Sequence, residues 1–141
     1  MDGRYLFKAK RIDNGEWVQG SCVYTFAPSK GYVVGIMVES YFIVEENGNM
    51  VSIDKNTICQ CTGLKDKNGN LIWENDIVKF KRSDDKEFVG EISYVEHYGA
   101  FFVIHSGCSD NQLYAFGDYE VIGNIFDNPE LLERGCKNDC K

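Results

Sequence analysis

Residues 61–80 read CTGLKDKNGNLIWENDIVKF, and the fold turns on whether this stretch is a cation loop or a hairpin. Asp66, Asn68 and Asn70 place oxygen-bearing side chains at alternate positions, as a calcium loop begins. A loop of the EF-hand kind also needs Gly at its sixth position and a bidentate Glu at its twelfth, between two helices. Counted from Asp66, those positions hold Leu71 and Ile77, and both flanks are strand-like. The same letters hold Asn68-Gly69 between apolar runs, the dipeptide of a two-residue hairpin whose turn positions both take positive φ. The hairpin reading stands. Asp66 and Lys67 approach, Asn68 and Gly69 turn, and Leu71, Ile72 and Trp73 return toward a core. Asn75 suits a second turn at positive φ, and Asp76, entering the next strand, suits the binding of turn amides.

Outward from this stretch the chain keeps alternating. Tyr5, Phe7 and Ala9 share one face, with Lys8 and Lys10 on the other, the period of a strand. Asn14-Gly15 separates it from a second β-like run, Trp17 to Phe26, and Asn47-Gly48 marks a third turn of the same chemistry. Tyr32 to Glu45 is long and rich in Val and Ile, with Gly35 suggesting a bulge or a break. Met50 to Ile53 and Thr57 to Thr62 read as short strands. After Trp73, strand-like runs follow at Ile77–Lys81, 87–96, 100–105, 112–116 and 120–126. Five short strands close together suit a small SH3-like barrel. One helix start is visible, with Asn128 as cap, Pro129 at the first position and Glu130 suited to the helix dipole. The expected architecture is all-β: antiparallel hairpins over residues 1–72, an SH3-like barrel over 73–127, and a short helix with a loose tail over 128–141.

Three motifs, in order, resemble the YopX family. They are Thr62–Gly69 followed by Ile72–Val78, Phe7–Lys10 with Trp17–Gly20, and Glu120–Leu132. The first is similar to the family's typical TGLKDKNGKEIYEGDIV, with Asn75 where Gly is usual and Cys61 where an aromatic is common. The resemblance implies a β-rich protein of phages and prophages, mostly of unknown function, with an SH3-type barrel in its C-terminal half. It implies no catalytic residues.

Composition narrows the functional classes. The chain has 141 residues, 43% hydrophobic, 26% charged and 13% aromatic, with a net charge of −7. Acidic balance disfavours non-specific contact with phosphate. No apolar stretch approaches the ~18–20 residues of a membrane span, and no apolar leader precedes the first strand. The expectation is a cytoplasmic protein of a bacterial host cell, without membrane contact. Cys22, Cys59, Cys61, Cys108, Cys136 and Cys140 are then expected as reduced thiols.

Candidate chemistry is sparse. Cys59-x-Cys61 with Cys136-x-x-x-Cys140 would offer four thiolates to zinc, but neither spacing is the usual knuckle, and buried strand cysteines explain the first pair as well. No metal or other cofactor is expected. His97 and His105 fall in a turn and at a strand end, with no local nucleophile arrangement. Of the many carboxylates, Asp76 alone has an evident role, a structural one. Phosphate-cradling and nucleophile-elbow motifs are missing from the sequence.

One binding surface can be assembled. Lys79, Lys81 and Arg82, with Tyr94, Tyr98, Tyr114 and Phe116, supply charge and rings for single-stranded nucleic acid. The same rings would suit a peptide groove. Net acidity weighs against the first, and Lys79 and Lys81 read more simply as the solvent face of a strand whose Val78 and Phe80 are core. The reading is a non-enzymatic protein-interaction module that acts through its C-terminal barrel, whose partner is a phage or host protein, and which forms a homo-oligomer through an apolar sheet face or edge. A nucleic-acid-binding accessory factor is the alternative, and an unrecognised enzyme the further one.

Overall fold

The computed structural model describes residues 5–28, 37–81, 85–104, 111–113 and 117–135. Gly35, Arg82, His105, Cys108, Tyr114, Phe116, Cys136 and Cys140 lie outside the described residues. Among the described residues, eleven strands, a 3₁₀ turn at Lys55–Thr57 and one short α-helix follow one another. β1 is Phe7–Lys10, β2 Trp17–Pro28, β3 Met37–Val44, β4 Met50–Ser52, β5 Cys59–Lys65 and β6 Leu71–Trp73. β7 is Asp76–Lys81, β8 Glu87–Val95, β9 Ala100–Ile104, β10 Asn111–Gln112, β11 Tyr119–Asn124 and α1 Glu130–Gly135. All pairings are antiparallel, in two sheets of order β4-β3-β2-β1-β5-β6 and β10-β9-β8-β7-β11.

The chain divides into two compact units, with the boundary between Gln60 and Cys61 inside β5. In the N-terminal unit, alternation sends Ala9, Val18, Ile43, Val51 and Ile53 into one core. Tyr41, Phe7 and Ile58 pack at its margin. Lys8 and Lys10, on the opposite face, lie over the Trp17 ring at 4.7 and 5.5 Å from its centroid, a cation–π arrangement. In the C-terminal unit, Ile72, Val78, Phe80, Phe88, Ile92, Val103, Leu113 and Tyr119 form the core, with Leu64, Phe101 and Val121 against it. Leu64 and Ile72 precede residue 73 yet belong to this core. The ring of Phe80 stacks on Phe88 at 5.8 Å and meets Tyr119 at 6.0 Å.

The second sheet is a meander, β7 to β10, whose last strand β11 returns to pair with β7. The expected SH3-like barrel is not borne out: no sheet closes among the described residues. Closure would require β10 and β11 to meet. β10 is a two-residue strand that pairs with β9 alone, and β11 pairs with β7 alone among the described residues.

The Asn-Gly turns also differ from expectation. Gly15, Gly48 and Gly69 have φ of 73°, 89° and 84°, whereas their preceding asparagines are not at positive φ. These are longer loops with one left-handed residue, not two-residue turns. At Gly69 the amide donates to the Asp66 carbonyl (3.0 Å) while the Asp66 amide donates to that of Asn70 (2.8 Å). Gly48 repeats this with Glu45 and Asn49 at 2.8 and 2.9 Å. This is a type I turn followed by a glycine bulge. Asparagine serves by its side chain instead: Asn14 Oδ1 accepts from the Glu16 amide, and Asn47 Oδ1 from that of Asn49.

After β11 the chain turns through Asn124, whose Oδ1 accepts from the amides of Phe126 and Asp127. Asn128 does not cap α1 with its side chain. Its Oδ1 reaches back to the Asn124 amide (3.3 Å), while its carbonyl accepts from Leu131. Gly123 makes room for this, since a Cβ there would lie 2.6 Å from Asn128 Oδ1.

Candidate functional site

The 61–80 stretch is a structural node. Thr62 and Gly63 open it with a bulge: Cys61 pairs with Trp73 and Lys65 with Leu71, so two extra residues are accommodated in β5. Gly63 takes φ 82°. The Thr62 hydroxyl donates to the Ile72 carbonyl (2.7 Å) and accepts from the Leu64 amide (3.1 Å), replacing ladder bonds that the bulge removes.

Asp66 is 6% exposed, and N–H donors occupy the carboxylate oxygens that a cation would otherwise use. Oδ1 accepts from the amides of Asn68 (3.0 Å) and Asn70 (2.9 Å). Oδ2 accepts from the Val121 amide in β11 (3.0 Å) and, at longer range, from the Asn70 side chain (3.4 Å). The Lys67 amide adds a bond to the Tyr119 carbonyl at 2.9 Å. The hairpin is thereby pinned to β11. Burial acts to raise the Asp66 carboxyl, but the amides of Val121, Asn70 and Asn68 outweigh it and hold it below the ordinary carboxylate range.

The second turn works similarly. Asn75 has φ 71°. Its amide donates to the Ile92 carbonyl (2.7 Å), and its own carbonyl accepts from Ile125 (3.0 Å). Asp76, 3% exposed, accepts from the Trp73 amide at 2.8 Å. Asn68, Gly69 and Asn75 thus sit in turns, and Asp76 opens β7 while its side chain binds the turn before it.

Of the basic and aromatic residues read as a binding surface, the four described, Lys79, Lys81, Tyr94 and Tyr98, do not gather on one face. Lys79 Nζ lies 3.6 Å from Glu120 and 3.9 Å from Glu87, and Lys67 reaches Glu120 at 3.7 Å. Charges alternate in sign across β11, β7 and β8. Lys81 is exposed and lies opposite Glu87 in register. Tyr94 is exposed and meets Phe101 edge-on at 5.3 Å. Lys79 pairs with Val89, and Tyr94 lies an odd number of residues further along β8, so it faces the other side of the sheet. Tyr98, in the β8–β9 turn, lies against Phe102 (5.3 Å) and His97 (5.0 Å). It sits at the opposite end of β8 from Glu87, about 30 Å away along a strand at roughly 3.3 Å per residue.

Cys59 and Cys61 are buried, and the Cys59 thiol donates to the Thr57 carbonyl at 3.2 Å. A groove of about 600 Å³ in the N-terminal unit runs beside β3, with Arg11, Glu39, Tyr41, Ile53 and Lys55 in its wall. Two of its cations are paired: Arg11 with Asp13 through two bonds of 2.9 and 2.8 Å, and Lys55 with Glu39 at 3.7 Å.

One open apolar surface belongs to the β2–β3 hairpin. Beyond Gly20, β2 has no strand on its other side among the described residues. Tyr24 and Phe26 are 51% and 56% exposed on one face, with Tyr24 against Tyr41 at 5.0 Å, and Val38, 42% exposed, lies on the other face, opposite Ala27 in register. The sequence reading passed over this arm. Its signal was a twelve-residue strand, WVQGSCVYTFAP, without a single charged side chain.

Residues 7–133 match the YopX protein family, and the chain belongs to it. The chain is also similar to a solved structure, protein EF1440 from Enterococcus faecalis, at 28% identity over 89% of this chain and 96% of that one, with a TM-score of 0.49. No curated protein matches.

Proposed function

We propose that this YopX-family chain is a non-enzymatic protein-interaction module, and that it works through the exposed arm of β2 and β3. One observation carries the reading: the large apolar side chains of Tyr24 and Phe26 stand in solvent on one face of a strand pair that carries no charge along β2. Exposed apolar surface flanking an open strand edge favours a protein partner through backbone pairing and side-chain contact. The nucleic-acid alternative is weakened because Lys79 and Lys67 spend their charge on Glu87 and Glu120. The enzyme alternative is weakened because Asp66 and Asp76 are occupied by backbone amides. A setting in the cytoplasm of a phage-carrying bacterium and a phage or host protein as partner fit this reading.

The test is a tagged pull-down from bacterial lysate, with and without nuclease, comparing wild type with Phe26→Lys. A discrete protein that survives nuclease and is lost with Phe26→Lys supports the module. Recovery that vanishes on nuclease treatment, or that is indifferent to Phe26→Lys, overturns it.

A further inference from the structure

We infer that two copies of this chain pair through the open edge of β2, antiparallel about a two-fold axis at Tyr24. The inference rests on the reading that the chain works by protein contact, and it names the partner: a second copy.

Hydrogen-bond direction along the arm decides which groups are open. The Tyr41 carbonyl accepts from the Ile53 amide at 3.1 Å, so the backbone of Tyr41 faces away from β2. Tyr24 is opposite Tyr41 in register. In an antiparallel ladder a pair that does not exchange hydrogen bonds points both its backbone groups outward. Tyr24 therefore turns its N–H and C=O to the open edge, and Cys22 and Phe26, two residues away on either side, do the same. Val18 and Gly20 share this direction, and their side is already taken by β1, where Phe7 pairs with Gly20 and Ala9 with Val18.

Both ends of the open edge are defined. Gly20 closes one end by pairing with β1. Pro28 closes the other, because it falls in the same direction and has no N–H to donate. Three residues remain, Cys22, Tyr24 and Phe26, with Tyr24 at the centre. Such an edge is complementary to itself. A two-fold at Tyr24 sets Tyr24 opposite its symmetry mate and Cys22 opposite the mate's Phe26, and every open donor meets an acceptor. Beyond Phe26 the mate's strand meets β1, which already holds the edge at Gly20, so the intermolecular ladder ends there. A two-fold contact uses the same patch on both copies and closes as a dimer.

Charge agrees with this placement. The chain carries a net charge of −7, so two copies repel generally. β2 has no charged residue, and Glu39, beside Phe26 in register, is already paired with Lys55. The arm is where like-charged copies meet without opposing charges. The three side chains also share one face, which adds ring contacts between the Tyr24 residues and between Phe26 and the mate's Cys22.

The experiment is light scattering on the full chain after size exclusion, from micromolar to several hundred micromolar. The expected mass rises to twice the 16.1 kDa chain mass. Tyr24→Pro removes the central outward N–H and spares the ladder to β3. Phe26→Lys puts a charge on the edge and leaves the backbone unchanged. Both variants should stay at the single-chain mass with unaltered far-ultraviolet circular dichroism. Hydrogen exchange on wild type gives a second readout that needs no variant: the amides of Cys22, Tyr24 and Phe26 should gain protection as concentration rises. A wild type that stays at 16.1 kDa, dimeric variants, or amides indifferent to concentration would overturn the pairing. A monomeric wild type that still captures a protein through Phe26 sinks self-pairing alone. Nuclease-sensitive capture by a monomer sinks both readings.

Discussion

Replacing Asp66 probes the node that organises the C-terminal unit. Its carboxylate serves three backbone amides at 2.9–3.0 Å while only 6% exposed. Hydrogen bonds to a charged acceptor contribute about 1.5–3 kcal/mol each. Asn68 and Asn70 lie in an exposed turn, so after Asp66→Ala their amides regain water and most of that loss is recovered. The Val121 amide, in a strand against the core, recovers less. The balance is a loss of about 2–4 kcal/mol, in the upper range for single substitutions. Asp66→Asn keeps the shape and the acceptor for the two turn amides, but sets an NH₂ group against the Val121 N–H, for a loss of about 1–3 kcal/mol. Urea denaturation should show both as a lowered midpoint at unchanged slope. The sign with pH follows from the carboxyl lying below its ordinary value in the fold. Its contribution is fully present above the unfolded value of about 3.9 and is lost as pH falls through the depressed folded value. Wild type and Asp66→Asn should therefore converge in stability on acidification. A loss below about 0.5 kcal/mol for Asp66→Ala, or a wild-type advantage over Asp66→Asn that persists unchanged to the lowest pH, would refute the reasoning.

Three further outcomes test the same structure. At Asn75, φ 71° makes Asn75→Gly neutral within about 0.5 kcal/mol, whereas Asn75→Val should lose about 1–2 kcal/mol, read by thermal melts. Ile72 is fully buried in the C-terminal core, and Ile72→Ala should cost about 2–5 kcal/mol in denaturant titration. Lys79→Ala, at a side chain 37% exposed, should change stability by less than about 1 kcal/mol despite its two ion pairs, and should leave any capture through the β2 arm unchanged.

The hairpin over 61–73 was legible because its signals are local. Glycine at a turn and alternation on its flanks act within a few residues, and failure of the calcium-loop count could be read by position alone. The class of the protein, all-β, followed from alternation repeated along the chain. Asn75 at positive φ likewise needed only the residue type. Geometry that depends on several residues was less legible. The Asn-Gly pairs signalled turns, but whether one or two residues take positive φ depends on which amide meets which carbonyl, and Asp66 and Glu45 make that choice.

Tertiary structure decided the rest. Sequence placed Asp66 as an approach residue; only the fold brings Val121, fifty-five positions away, to its Oδ2. Lys79 and Lys81 read as a cationic strip because alternation assigns a face, but the sign of that face is set by β11 and β8, which carry Glu120 and Glu87 across from them. Tyr94 and Lys79 fall on opposite faces by register, which composition does not contain. Closure of the barrel failed for the same reason: strand propensity is a property of each segment, whereas closure requires two distant edges to meet. The open edge of β2 is the clearest case. Its lack of charge is written in the sequence, but its being open depends on where β1 stops at Gly20, and that is a fact of pairing rather than of residues.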